Sequence, residues 1–536
     1  MNARYNVEQV FSLRSRFARG VLSAAALALV AACGSDEVPD PIQSGTRLEL
    51  ADGDLQGVAM GGARHFFGIP FARPPLDDLR WQPPLPALPW SGTRDASTMS
   101  AACAQNDSIT ADYSENEDCL YLNVWTPEPA PTTPLPVMVW FHGGGNTAGS
   151  AADLVPLGIG GLFYDGQILA EQHDVIVVSI NYRLGIFGFL SHPALAAADK
   201  QYPFSGNQAL LDQRLALKWV RDNIAPFGGD PGNVTIFGES AGSFDVCYHM
   251  AAPGSRGLFH RAISQSGGCT YHNSTLADGE ARTDMLLGEV GCASAANALA
   301  CLRSVPTADL LLHSGGFGPT VDGGVLPDQP RALFDRGAIA KVPYLLGSNA
   351  DEGTLFALTG GLPPLETPEQ YLAALRAQWG DRADEIAALY PAADFDSPAD
   401  AYIRTMGDSG LVCGTFDTGR RAALAGIPVY LYNFARPIPI PAISFLKATH
   451  GAEIAYVFGS VSPPTSEDGV LATAMQRYWS RFAAAGDPNL DGALLWPRWQ
   501  DSTDLRLEFD APIQQVSGFR RAQCELWWDI SDEAFD

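Results

Sequence analysis

After residue 32 the sequence contains no apolar run of roughly 18 residues, the length a membrane-spanning helix needs, so the body of the chain is not a bundle of such helices. Basic residues are scarce. Against 60 Asp and Glu stand only 34 Lys and Arg, giving a formal charge of −26, and a field of that sign argues against nucleic acid or an anionic lipid surface as a partner. An acidic surface keeps a protein dissolved but does not choose a substrate for it. There is no internal repeat, no low-complexity tract and no linker-like stretch after residue 46. No two cysteines have C-x-x-C spacing, which removes the usual paired-thiolate zinc site, and no cofactor is implied. What remains is a chain of 536 residues, 46% hydrophobic and 10% aromatic, long enough to bury a sizeable core in one large domain.

The N-terminus is of a different kind. Arg14, Arg16 and Arg19 precede an apolar run from Val21 to Val30, then the small pair Ala31-Ala32 and Cys33. Positive residues, a short apolar run and small residues at its end make a secretory signal. Val30-Ala31-Ala32-Cys33 resembles the bacterial lipobox, whose cysteine is lipidated, so residues 1–32 are expected to be a lipoprotein signal and residues 33–46 a lipidated, flexible tether. The expected location is the bacterial cell envelope, with a plain secreted form as the alternative. Residues 1–32 carry four arginines and Glu8, so their removal leaves −29. Besides Cys33 there are eight cysteines, and an even number in an exported chain suggests disulfides, although eight thiols allow 105 pairings.

From 47 to 536 the pattern alternates. Pro136 to Phe141, Val175 to Asn181, Asn233 to Phe237, Ala262 to Ser266, Tyr344 to Gly347 and Val429 to Asn433 read as buried strands. Ala209 to Asn223, Pro368 to Trp379 and Ala472 to Ala485 read as helices between them. Such alternation predicts an α/β fold, a doubly wound and mostly parallel central sheet with helices on both faces.

The sharpest signal is Gly238-Glu239-Ser240-Ala241-Gly242, directly after a strand and before a helix. It fits the nucleophile elbow G-x-S-x-G, in which small residues let strand and helix approach while a serine stands at the turn. A serine attacking a carbonyl makes a tetrahedral oxyanion, which needs unobstructed backbone N–H donors. His142-Gly143-Gly144-Gly145 after the strand ending at Phe141 offers Gly144 and Gly145, and Ala241 offers a third donor. A dinucleotide fingerprint is the rival reading of Gly143, Gly145 and Ala148, with Asp165 further on, but Leu154 to Leu162 is broken by proline and glycine where that motif needs a helix. Ser444-Phe445-Leu446-Lys447 has the S-x-x-K spacing of penicillin-recognising enzymes without their companion motifs.

Taken together, Phe67-Gly68-Ile69-Pro70-Phe71-Ala72, Glu117-Asp118-Cys119-Leu120-Tyr121-Leu122-Asn123, the glycine loop, Asn181-Tyr182-Arg183-Leu184-Gly185 and Phe227 through Gly242 resemble the type-B carboxylesterases, the family that includes the cholinesterases. The resemblance runs from about residue 47 onward. It implies the α/β-hydrolase fold and a serine carboxylic-ester hydrolase acting on small-molecule esters, with an interfacial lipase or a non-catalytic adhesion protein as alternatives. It implies Ser240 as nucleophile, Glu352 in Asn349-Ala350-Asp351-Glu352-Gly353 as the acid and His450 in His450-Gly451-Ala452-Glu453 as the base, in the order Ser, Glu, His. Asp351 is the rival acid. Glu239 and Ser266 resemble supporting positions, and an ordinary imidazole would make activity decline below about pH 6.5. The family pattern also suggests the pairings Cys103 with Cys119, Cys292 with Cys301 and Cys413 with Cys524, leaving Cys247 and Cys269 either bonded or as separate buried thiols. Departures are visible too: Ala104 to Asp118 holds no tryptophan for a choline cation, Asn146 stands where an aromatic usually follows the glycines, Asp77-Asp78 replaces a glycine-containing step, and Asp153 to Gly161 reads as extra loop near the mouth.

Overall fold

The near-continuous apolar runs become strands covered on both faces. A computed structural model describes residues 42–106, 113–153, 163–198, 202–360, 362–363, 365–460 and 464–533. In chain order the strands of its central sheet are Val58–Met60 (β1), Ala63–Pro70 (β2), Tyr121–Pro127 (β3), Leu135–Phe141 (β4), Ile176–Ile180 (β5), Gly229–Glu239 (β6), Arg261–Gln265 (β7), Tyr344–Asn349 (β8), Val429–Phe434 (β9), Leu505–Phe509 (β10) and Gln514–Ser517 (β11). Their spatial order is β1-β2-β3-β5-β4-β6-β7-β8-β9-β10-β11 among the described residues. Pairing is parallel from β5 through β10 and antiparallel toward both edges. This is the α/β-hydrolase sheet. Strand order reverses around β4, so the loops after β4 and β6 meet at a switch point, the usual seat of a site in such folds.

Alternate side chains of each strand enter opposite cores, as a period of two demands. Val137, Val139 and Phe141 pack with Leu210 and Leu217 of Gln208–Asn223 (α1) and Val246 and Met250 of Ala241–Ala251 (α2). Met138 and Trp140 pack on the other face, with Leu471, Met475, Trp479 and Phe482 of a later helix. Each such side chain, fully buried, contributes roughly 1.5–3 kcal/mol.

Helix boundaries follow their caps. Pro368–Trp379 (α3) spans the residues its pattern predicted, because Thr367 and Gln370 form a capping box and Gly380 stops it at φ +54. Cys413–Leu424 (α4) is followed by Ser466–Ala485 (α5), which starts six residues before the expected Ala472. Its first turn is capped by Thr465 and carries Glu467 and Asp468, so apolar periodicity could not reveal it. Arg521–Glu533 (α6) closes the described chain. No helix among the described residues is long and apolar enough to cross a membrane.

Disulfides join Cys103 to Cys119, Cys247 to Cys269, Cys292 to Cys301 and Cys413 to Cys524. The choice left open for Cys247 and Cys269 is therefore a bond, tying α2 to the loop after β7. The chain is attached to the domain from Gln43, whose N–H donates to Pro226 O at 3.0 Å and whose carbonyl accepts from the buried Arg64 at 2.9 Å. The lipobox and Leu154 to Leu162 lie outside the described residues.

Cys413–Cys524 closes 111 residues and Cys292–Cys301 only 9. A cross-link removes more unfolded-chain entropy the longer its loop, so replacing Cys413 and Cys524 together by serine should cost about 2–5 kcal/mol and more than the equivalent change at Cys292 and Cys301. Denaturant midpoints without reductant measure both; an equal or larger loss from the short loop would refute the ranking.

Candidate active site

Ser240 occupies the turn between β6 and α2 at φ +54, ψ −123, a conformation few side chains adopt. The turn survives because its glycines have no Cβ. One at Gly238 would sit 2.6 Å from the carbonyl carbon of Gly242, and one at Gly242 would sit 2.0 Å from Phe141 O. Ser240 N–H donates to Gln265 O at 2.9 Å, which docks the turn on the end of β7.

The loop after β4 passes beside it. A Cβ on Gly143 would lie 3.2 Å from Ser240 Cβ. Gly144 and Gly145 have φ of +104 and +64, and their N–H groups and that of Ala241 donate to nothing among the described residues. The loop is held from below: Tyr182 Oη donates to His142 O at 2.7 Å, and the two rings stack 4.3 Å apart. Arg183, next in chain, makes a buried bidentate pair with Asp212 of α1 at 2.7 and 2.8 Å. Gly143, Gly145 and Ala148 thus belong to a turn rather than a nucleotide-binding helix start.

His450 and Glu352 come together from loops 98 residues apart in the chain. Nδ1 of His450 meets Glu352 Oε2 at 2.6 Å, and Glu352 Oε1 accepts the N–H of Asn349 at 2.7 Å. Asp351 is turned away: it pairs with Arg404 at 2.5 Å and accepts Ala448 N–H at 3.2 Å. Nε2 of His450 faces Glu239 Oε1 at 3.2 Å, and among the described residues no hydrogen bond joins it to Ser240 Oγ. Such a bond commonly tightens only when substrate is bound. Phe356 lies against the imidazole, ring centres 5.0 Å apart. Ser266 sits at φ +59 after β7, its buried hydroxyl without a hydrogen-bond partner among the described residues. In the S-x-x-K segment, Ser444 Oγ donates to Pro441 O, and the half-exposed Lys447 lies 4.0 Å from Asp396.

One buried acid escaped the sequence reading. Glu453, at the end of the quoted His450 stretch, accepts from Gln265 Nε2 at 3.1 Å and Asn349 Nδ2 at 2.5 Å. Trp479 Nε1 donates to Gln265 Oε1 at 3.0 Å, so a tryptophan of α5 orients the amide that holds Glu453. Its only trace in the sequence is its place three residues after His450. Asn146 is buried, with its side chain directed into the protein toward Asp245. Asp77 takes φ +52 in the short turn Asp77–Leu79, the left-handed position that favours glycine.

A histidine between a serine turn and a buried carboxylate, beside free N–H donors, can carry out acyl transfer. Residues 44–527 match the Carboxylesterase family. The chain belongs to the carboxylesterase family. It is 39% identical over 470 residues to a fumonisin B1 esterase of Sphingopyxis macrogoltabida, covering 84% of this chain and 83% of that one. It is 34% identical over 552 residues to carboxylesterase 5A of Canis lupus familiaris, covering 94% and 91%, and 33% identical over 509 to a medium-chain fatty acyl-CoA hydrolase precursor of Anas platyrhynchos, covering 87% and 88%. This carboxylesterase is a serine hydrolase of carboxylic esters.

Three buried acids, Glu239, Glu352 and Glu453, act on the one His450 imidazole. Burial lowers the His450 imidazole, but the Glu239 and Glu352 carboxylates outweigh it and hold His450 above its ordinary 6.5. Burial pushes Glu239 up as well, to about 8. An activity profile governed by this imidazole would therefore decline at a pH above 6.5 rather than below it. A raised pKa keeps the imidazole protonated further up the scale, so the neutral base appears only above 6.5. Glu239→Gln removes one of the charges responsible and should move the His450 titration, followed by imidazole NMR, toward acid. A titration at or below 6.5 in the carboxylesterase, or one unmoved by the substitution, would contradict this account.

Proposed function

We propose that Ser240 is the nucleophile of a two-step ester hydrolysis, His450 its general base and Glu352 the acid that orients the imidazole. His450 takes the serine proton as Ser240 Oγ attacks the ester carbonyl, and the N–H groups of Gly144, Gly145 and Ala241 receive the negative charge of the tetrahedral oxygen. The proton passes to the departing alcohol, leaving an acyl-serine. Water, deprotonated by His450, then attacks the acyl carbon and releases the acid. Glu239 and Ser266 support the group from beneath, and the chemistry calls on no metal or organic cofactor. The observation that carries this reading is the 2.6 Å contact of Glu352 with His450 Nδ1, which selects the tautomer whose Nε2 accepts a proton.

The substrate class we infer is small to medium esters of short or medium acyl length. The relative named for medium-chain fatty acyl-CoA supports a pocket of that reach, and the relative named a fumonisin B1 esterase supports ester cleavage in an organic small molecule. The proline-rich Pro437 to Pro441, one candidate rim of the mouth, forms irregular chain rather than an amphipathic lid helix, which disfavours an interfacial lipase. Choline esters gain no advantage without a tryptophan in Ala104 to Asp118.

The N-terminal reading joins these. Residues 1–32 are the signal, Cys33 carries the lipid, residues 33–46 are the tether and residues 47–536 the catalytic domain, so the enzyme is exported and held at the cell envelope. The disulfides fit an oxidising compartment. Gln43 enters the domain beside Pro226, at the end of the sheet where β4 and β6 begin and Ser240 does not lie, which suits esters arriving from solution.

Ser240→Ala should lower kcat by roughly 10⁴- to 10⁶-fold on a chain-length series of aryl esters with the fold intact. More than a few per cent residual turnover would sink the assignment, and a rate that jumps on emulsified triolein would favour the lipase. Cys33→Ser should move the protein from the membrane fraction to the soluble one at unchanged turnover; unaltered partitioning would refute the lipid anchor.

A further inference from the structure

Asn146 follows the last glycine of the loop and adopts φ +59, with its side chain buried. Its Nδ2 donates to Asp245 Oδ1 at 3.0 Å, and its carbonyl accepts the N–H of Gly185 at 2.7 Å. Asp245 stands on α2 one turn beyond Ala241 and is wholly buried. Its other oxygen accepts from Gln213 Nε2 of α1 at 2.6 Å. Gln213 Oε1 in turn faces His249 Nε2 at 2.9 Å, and His249 Nδ1 faces Ser255 Oγ at 2.8 Å. Burial holds His249 down to about 3, so it stays neutral: Nε2–H donates to Gln213, and Nδ1 accepts from Ser255. The Gln213 amide is thereby oriented with its NH₂ toward Asp245, leaving the second carboxylate oxygen to take Asn146.

The donors assigned to the oxyanion lie on two separate elements. Gly144 and Gly145 are on the loop, and Ala241 heads α2. Such donors act only when held about 2.7–3.1 Å from the developing oxygen, and a run of glycines has little intrinsic stiffness. Tyr182 secures one end of that loop through His142 O. The only side-chain bond from its other end to the nucleophile helix, among the described residues, is that of Asn146 to Asp245.

We propose that Asn146 and Asp245 are positioning residues that set the spacing between the glycine loop and α2, and so align Gly144 and Gly145 with Ala241 on the oxyanion. The pair takes over the place of the aromatic that usually follows the glycines. This rests on the assignment of Ser240 and of the three donors above.

The test compares Asn146→Gly, Asn146→Asp and the exchange Asn146→Asp with Asp245→Asn. Glycine keeps the left-handed backbone and removes only the amide. In Asn146→Asp alone two carboxylates face each other, whereas the exchange restores one donor to one acceptor and leaves an amide oxygen on α2 to accept from Gln213. A fluorophosphonate counts reactive Ser240 in every variant, so loss of the nucleophile is separated from loss of alignment. Asn146→Gly should lower kcat roughly 10- to 100-fold with KM nearly unchanged, and should weaken a trifluoromethyl ketone, which mimics the tetrahedral state, by the same factor. The exchange should recover most of what Asn146→Asp loses, and it keeps its hydrogen bonds even if that single variant does not fold. Wild-type kcat and inhibitor affinity in Asn146→Gly, a rise in KM alone, or an exchange no better than Asn146→Asp would overturn the proposal. A wild-type enzyme unlabelled at Ser240 would instead overturn the assignment beneath it.

Discussion

The site depends on one close approach of backbone to backbone. α2 begins on the residue after Ser240 and leaves β6 so steeply that Gly242 lies against Phe141 O, at the end of the neighbouring strand β4. No side chain fits there. That contact places the serine, the start of α2 and the loop after β4 within a few ångströms of one another. The parallel strands contribute to this: β4, β6 and β7 end at the same edge, so Gly143, Ser240 and Ser266, which follow them, lie together there. The positive φ of Ser240 is a strained state, and the sheet beneath is what keeps it populated.

Around the elbow, burial does the electrostatic tuning. Glu239, Glu352 and Glu453 are all removed from water close to a single imidazole, and a buried carboxylate without compensation would be costly. Amide donors offset part of that cost: Asn349 supplies its N–H to Glu352 and its Nδ2 to Glu453, and Gln265 supplies Nε2 to Glu453. The histidine thus has a carboxyl group beside each ring nitrogen, Glu352 at Nδ1 and Glu239 at Nε2, which favours its protonated form. Asp351, one residue from Glu352, serves structure instead by pairing with Arg404. Adjacent carboxylates acquire different tasks because a loop directs neighbouring side chains to opposite sides.

The sequence by itself determined the alternating strands and helices, the glycine loop and the elbow. Those features are local: a two-residue period marks a strand, and G-x-S-x-G meets its steric demand within five residues. Family resemblance was needed to single out Glu352 and His450, because a carboxylate and an imidazole on loops carry no periodic mark. The start of α5 was hidden for a related reason, its first turn being polar and capped rather than apolar. Only the tertiary structure decided that Glu352 rather than Asp351 meets His450, that Glu453 joins the buried acids, that Cys247 and Cys269 are bonded, and that Asn146 points inward to Asp245. Each is a pairing between residues well apart in the chain, and its energy comes from desolvated groups finding partners across packed elements, an arrangement that exists only once the sheet has brought those elements together.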